Sequence, residues 1–316
     1  MFSRHTDVPA RALSICLVSV IFTVLVSLSF TLTAHTAMAA SNHVDVTVLN
    51  TEINPASLRL LTKAITIAEA DGAQALIIEI DTPGGDLSSM KSMTEAELNS
   101  SVPIISYVSP TGGFAASAGA FVTLAAPIAA MAPTTRIGAS SPILSTGADI
   151  GSTLKAKLEQ DLVASMTGIQ HRYGRNIPLA TKMVTDAASY DDTTAVNQGI
   201  VNLEATSLND LLSKVDGQSV TIGTRPVTLH TANANVQMLE PSLFDKFYDF
   251  LLDPNVIFLL FIVAMIGVYL EISHPGAILP GTVGGIALLL FLFAIGSLSP
   301  NWAGLALMVL AFVLLV

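Results

Sequence analysis

Charge is scarce in this chain. Only 12% of its 316 residues are Asp, Glu, Lys or Arg, and 51% are hydrophobic. Soluble domains carry roughly 25% charged residues. The deficit excludes a disordered chain, whose composition runs the other way, and it does not suit a wholly soluble one. Cysteine is nearly missing too. Cys16 stands alone inside an N-terminal apolar stretch, where it reads as a small apolar filler. An exported remainder without thiols has no disulfide, no thiolate catalysis and no Cys-based metal site. Basic residues are outnumbered, 14 Lys and Arg against 24 Asp and Glu, for a net charge of −10. An acidic domain is a poor partner for nucleic acid or anionic headgroups.

What is present is unevenly placed. Residues 12–40 hold no charged side chain and residues 254–316 only Glu271, whereas residues 41–253 hold 12 Lys and Arg and 22 Asp and Glu. An acidic domain therefore sits between two apolar ends. At the first end, Arg4 and Arg11 precede an apolar run over 13–32, and Ala37-Met38-Ala39 supplies an A-x-A site. This reads as a secretory signal cleaved after Ala39 or Ala40, or, uncleaved, as an N-terminal anchor. At the other end, apolar runs cover 256–272, 282–298 and 303–316, separated by turns at Ser273-His274-Pro275-Gly276 and Ser299-Pro300-Asn301. The first two suit spanning helices, with Gly284 and Gly285 allowing close approach. The third is short for a span, so two or three transmembrane helices are expected. The connecting loops carry no Lys or Arg, so orientation follows only from export of the domain before them. The expected organisation is a signal or anchor at 1–40, an exported domain at 41–235, a juxtamembrane segment at 236–254 and a membrane domain at 255–316. The expected location is the cytoplasmic (inner) membrane, multi-pass, with the acidic domain outside the cytoplasm.

Within that domain, β-branched and continuous apolar runs predict strands at 44–49, 75–80, 102–108, 128–132 and 200–203. Helical spacing predicts helices from Asn54-Pro55 to Asp71-Gly72, from Asp86 to about Asn99, over 115–125 and over 154–172, one opened by Pro178, and one over 208–215. A hairpin is expected over 220–229 around Gly223-Thr224. Strand and helix alternation at this spacing predicts an α/β fold with parallel strands.

Two stretches could carry chemistry. Gly84-Gly85 follows a buried strand, where glycine lets backbone N–H groups face a cleft at the strand's C-terminal edge; an ordinary tight turn is the alternative. Gly112-Gly113-Phe114-Ala115-Ala116-Ser117-Ala118-Gly119 sets a serine in the first turn of a helix, among small residues and free N–H groups. It departs from the G-x-S-x-G elbow, because Ala115 replaces the first glycine. Together the two glycine-rich exits supply a nucleophile and two sources of oxyanion donors. A serine also needs a base. His171 is the histidine that falls in a helix of this domain, and Lys155 and Lys157 begin that same helix. Fourteen residues are close to four turns, so Lys157 and His171 share one side of it.

With these residues in view, the chain resembles the NfeD/ClpP-class membrane serine proteases, which include stomatin-operon partner proteins. The matching segments are IDTPGGDLSSM, TGGFAASAGAFVTLAA, AAMAPTTRIGASSPI, HRYGRN, LLDPNVIFLLF and HPGAILPGTVGGIALLL, in family order. The resemblance implies a ClpP/crotonase-like fold and a Ser–Lys dyad. Ser117 would be the nucleophile, and the Gly85 and Ala118 N–H groups the oxyanion hole. The family's K-x-x-N-D pattern falls on Lys157-Leu158-Glu159-Gln160-Asp161, with Gln160 in place of Asn, which implies Lys157 as the base and leaves His171 as the alternative. The implied activity is a serine endopeptidase acting outside the cytoplasm on hydrophobic segments of membrane proteins. A stomatin-like membrane protein is the implied partner, the lipid bilayer the setting and a homo-oligomer the expected state, with no cofactor, metal or nucleic acid. Two rivals stand beside it: a catalytically inactive scaffold of the same fold that binds a stomatin-like partner, and a crotonase-type acyl-CoA enzyme. Export and the lack of a basic cluster argue against the second.

Overall fold

The aliphatic runs predicted as strands do build a sheet in the computed structural model, which describes residues 42–142, 151–274 and 278–297. The signal or anchor at 1–40, and the third apolar run with Trp302, lie outside the described residues. In chain order the first half contains β1 (His43–Leu49), α1 (Pro55–Asp71), β2 (Leu76–Ile80), α2 (Leu87–Asn99), β3 (Ile104–Val108), β4 (Phe114–Ala116), α3 (Ala118–Ala125), β5 (Ile128–Met131) and β6 (Arg136–Gly138). There follow α4 (Ser152–Arg172), α5 (Ile177–Thr185), β7 (Ser189–Asp191), α6 (Asp192–Asn197), β8 (Leu203–Glu204), α7 (Leu208–Val215) and the hairpin of β9 (Ser219–Ile222) and β10 (Arg225–Thr228). The described chain ends with β11 (Asn235–Met238), α8 (Leu243–Leu252), α9 (Pro254–Ser273) and α10 (Ile278–Ser297).

The main sheet has the order β11-β1-β2-β3-β5-β8, with every neighbouring pair parallel. Both faces are covered. Ile78, Ile80, Ile104 and Val108 pack into one apolar cluster, and Ile77, Ile105, Tyr107 and Ile128 into another. Burial on both faces is why these strands read as continuous apolar runs without alternation. Helix starts follow local chemistry. Asn54 accepts from the Ala56 and Ser57 N–H groups, and Asp86 accepts from Ser89 N–H, each cap contributing about 1 kcal/mol.

Three sequence expectations are corrected. Residues 115–125 are not one helix. Phe114–Ala116 is extended, pairs in parallel with β6, and is stitched to Thr82 by Thr82 N–H to Phe114 O at 2.8 Å and Ala116 N–H to Thr82 O at 3.0 Å. The ladder overrides the helix propensity of alanine, and the helix begins at Ala118. The strand predicted at 200–203 is confined to Leu203–Glu204, because the N–H groups of Ile200 and Val201 bond the Ala195 carbonyl instead. The sequence gives no strand at Asn235–Met238, yet β11 lies there, beside β1 in the main sheet.

Beyond β11 the chain turns apolar. Asp245 of α8 ties this end to α1, meeting Lys63 Nζ at 2.7 Å and Arg59 Nε at 3.3 Å, while Leu252, Ala56 and Ala294 share a small buried cluster. Helices α9 and α10 are long and apolar enough to cross a membrane. They approach so closely that a Cβ on Gly267 would lie 2.4 Å from the Gly284 Cα, the use of small residues common between helices in lipid.

Candidate active site

Ser117 occupies the single-residue hinge between β4 and α3. Its backbone angles are φ 53 and ψ −119, a strained combination for a residue with a side chain, and such strain concentrates at functional sites. Three hydrogen bonds hold the hinge: Ser117 N–H donates to Gly138 O at 2.8 Å, and Ser117 O accepts from the Ala120 N–H at 3.1 Å and from the buried Ser140 hydroxyl at 3.0 Å. The side chain is left half-buried, and its hydroxyl makes no hydrogen bond with the described residues. The expectation of a first-turn serine is therefore replaced by a serine at the N-cap position, on a sharp strand-to-helix bend, with no side-chain capping bond. This is the local geometry of a nucleophile elbow reached without its first glycine.

The second glycine-rich exit lies directly against this hinge. A Cβ on Gly84 would fall 2.6 Å from the Ser117 Cβ, 2.9 Å from Ala116 O and 3.2 Å from Ala118 N. Gly85 has φ 156 and runs beside Ile53, whose N–H bonds Gly84 O at 2.7 Å. The Gly85 N–H and the Ala118 N–H donate to no described acceptor. At the start of α3 such free donors add to the positive end of the helix dipole.

Thr82 is the residue that sequence reasoning missed. It is fully buried. Its hydroxyl donates to Thr51 O at 2.7 Å and accepts from the Gly84 N–H at 3.2 Å. Its backbone pairs with β4, and its methyl fills the space that a side chain at Gly119 would need. Asp81 adds a bond from the Phe114 N–H to its carboxylate at 3.1 Å. The signal was present in the Asp81-Thr82-Pro83-Gly84-Gly85 run, but Thr82 joins segments that lie far apart in sequence.

The candidate bases sit at opposite ends of α4. Lys91, in the second turn of α2, meets Asp161 at 2.6 Å, and Arg172 reaches the Leu98 carbonyl near the end of α2 at 3.2 Å. The two helices therefore run the same way, with the second turn of α2 beside the middle of α4. Lys157 lies one turn before Asp161, toward the glycine end, with an exposed side chain that bonds no described residue. Lys155 is exposed in the turn before it. His171 lies at the far end, about 21 Å along the helix from Lys157, and is also exposed.

The other end of α3 is anchored from the Gly174-Arg175-Asn176 segment. Arg175 donates to the Leu124, Ala126 and Pro127 carbonyls and stacks 4.8 Å over the Tyr173 ring. Burial lowers its guanidinium to about 10, with Tyr173 and Glu97 opposing. Glu97 is buried beside it without a hydrogen bond to any described residue, and burial pushes its carboxyl well above the usual range, with Arg175 opposing.

Comparison with known proteins gives consistent matches. Residues 43–221 match the family described as NfeD1b, N-terminal domain, and residues 255–316 match the NfeD integral membrane domain. The chain is 35% identical over 276 residues to Membrane-bound protease PH1510 of Pyrococcus horikoshii, covering 86% of this chain and 62% of that one. It is 27% identical over 244 residues to Membrane protein NfeD1b of Bacillus subtilis, covering 77% and 54%. It thus spans less than two thirds of the length of these curated relatives. Among solved structures it is similar to a serine-to-alanine mutant of the 1510-N membrane-bound stomatin-specific protease, at 34% identity and TM-score 0.61, covering 64% of this chain and 99% of that one. A lysine-to-alanine mutant of the same protease, in complex with a substrate peptide, matches at 34% identity and TM-score 0.63, covering 67% and 98%.

Proposed function

The chain belongs to the NfeD family, and from that membership we propose that it is a membrane-anchored serine endopeptidase acting outside the cytoplasm on hydrophobic segments of membrane proteins. The observation that carries this reading is the hinge itself: a Ser117 hydroxyl that bonds no described residue, at a strained bend packed against the Gly84 backbone, with Gly85 and Ala118 N–H groups that donate to no described acceptor on the two adjoining segments. Ser117 Oγ attacks the carbonyl carbon of the scissile peptide, and its proton passes to the neutral amine of Lys157. The Gly85 and Ala118 N–H groups hold the oxyanion, each donor contributing about 2.7–4 kcal/mol in a preorganised site. As the C–N bond breaks, Lys157 returns the proton to the leaving amine, and water then releases the acyl group by the same path. A substrate chain lying over the start of α4 takes the amine out of water, which favours the neutral form that a base needs.

Lys157 is chosen over His171 because it lies toward the Gly85 end of α4, whereas His171 lies toward the α2 C-terminus. The protease solved with a bound peptide is described as stomatin-specific, which supports a stomatin-like membrane protein as substrate or partner here. In the same reading residues 1–40 direct export, the α/β domain faces outward as part of a homo-oligomer, and the apolar helices hold it in the cytoplasmic membrane. The scaffold reading draws on one observation, the exposed Lys157 that bonds no described residue. The test is cleavage of apolar peptides by the full chain in detergent. Ser117→Ala should abolish cleavage while leaving partner capture intact. Undiminished turnover in Ser117→Ala would refute the nucleophile, and partner capture with no turnover in wild type would favour the scaffold.

A further inference from the structure

One buried cluster away from the serine hinge has no part in this chemistry. His43 and Asp45, two apart on β1, turn to the same side, where Asp71 ends α1. His43 Nε2 lies 3.3 Å from Asp71 Oδ1 and 3.8 Å from Asp45 Oδ1. One donor atom from each of the three falls within 4.8 Å of the others. Asp45 has no exposed surface, and neither of its carboxylate oxygens accepts a hydrogen bond from a described donor outside the cluster, where Asp71 is its carboxyl neighbour. Asp71 is 29% exposed, which opens the cluster to solvent on one side.

A carboxylate withdrawn this far from water needs a neutralising partner. Among the described residues, His43 is the ion-pair partner of Asp45 and Asp71, and it neutralises them only when protonated; no Lys or Arg pairs with either. Asp71 also sits where a helix prefers a cation, since the last carbonyls of α1 carry partial negative charge and its last turn holds no basic residue. Two of the three separations suit an ion at the centre, and the third lies within 4.8 Å. Ligands at zinc bond lengths of 2.0–2.1 Å form a tetrahedron with edges of about 3.3–3.4 Å, close to the 3.3 and 3.8 Å observed. One imidazole with two carboxylates suits a borderline divalent ion better than Ca2+, which prefers six to eight oxygens.

We propose that His43, Asp45 and Asp71 bind one divalent transition-metal ion of the Zn2+ class, which fastens the start of β1 to the end of α1. In the sequence Asp45 falls inside a strand run and Asp71 at a helix end, and neither marks a metal site. The competing neutraliser is a proton, because burial, and then Asp71, push the Asp45 carboxyl up to about 6, with His43 opposing.

The experiment uses the full chain in detergent, stripped with EDTA and dialysed against Zn2+. Wild type should take up one Zn2+ per chain and show a higher thermal midpoint with the metal. Co2+ in place of Zn2+ should give a visible d–d absorption. Asp45→Asn and His43→Gln should each weaken Zn2+ affinity at least a hundredfold and lose the Zn2+-dependent thermal shift. Wild type that binds no Zn2+, or whose midpoint ignores Zn2+, would overturn the site in favour of a shared proton, whatever the variants do. Equal uptake by wild type and both variants would overturn it as well.

Discussion

No side chain can stand between residue 84 and Ser117: a Cβ on Gly84 would fall 2.6 Å from the Ser117 Cβ and 3.2 Å from the Ala118 nitrogen. The two glycine-rich exits are one structure, with the backbone of the first forming a wall of the second. Gly84→Ala should therefore displace the serine hinge and abolish activity. Gly223→Ala, at φ 61 with open space around it, should cost only the left-handed strain, roughly 1–2 kcal/mol, and keep its activity. Thermal melts run beside peptide cleavage check the contrast; full activity in Gly84→Ala would show that the wall has no functional role.

Thr82→Val keeps the methyl against Gly119 and removes the hydroxyl that joins Thr51 O to the Gly84 N–H. Stability should fall by about 1–3 kcal/mol, since a buried carbonyl and an N–H lose their partner. If the Gly85 and Ala118 amides serve as proposed, their small displacement should lower kcat by up to about 100-fold, with KM changing less. Steady-state kinetics on folded variant protein decide it: an unchanged kcat would reduce Thr82 to a packing residue.

The placement of the bases gives a paired prediction. Lys157→Ala should lower kcat/KM by about 10²–10⁴-fold, while His171→Ala stays near wild type. A collapse in His171→Ala with little change in Lys157→Ala would mean that α4 presents its other end to the substrate.

Glu97 gives the pH dependence. Its folded carboxyl titrates well above the ordinary value, chiefly through burial. As pH rises past about 4.5 the unfolded chain releases this proton while the folded protein keeps it, so the group's contribution to stability declines. Glu97→Gln should therefore match wild type below about pH 4 and exceed it increasingly above, by about 1.4 kcal/mol per pH unit until the folded group ionises. Thermal midpoints of both proteins across pH 4–8 test this; a Glu97→Gln variant less stable at pH 7 would mean that the carboxylate is ionised and paired with Arg175.

Much of this was legible where the physics is local. The caps at Asn54 and Asp86, the first-turn Pro178 and the helix at Leu208–Val215 follow from side chains within a few residues of one another. The two glycine exits were also legible as separate turns. What sequence could not supply were pairings across distance. Ala115 and Ala116 are helix formers until Ile137 and Gly138, far along the chain, draw them into a ladder. Asn235 is an unremarkable polar residue until His43 lies beside it. Thr82 gains its place only when Thr51, Ala115 and Gly119 meet around it.

The central claim is that one hydroxyl, at Ser117, is activated by the backbone around it. The most direct measurement is covalent trapping: the full chain is treated with a fluorophosphonate, and the adduct is located by peptide mass spectrometry. The account predicts a single stoichiometric adduct on Ser117, lost in Ser117→Ala and strongly slowed in Lys157→Ala. An adduct on another residue, or wild type that stays unlabelled while folded, would contradict it.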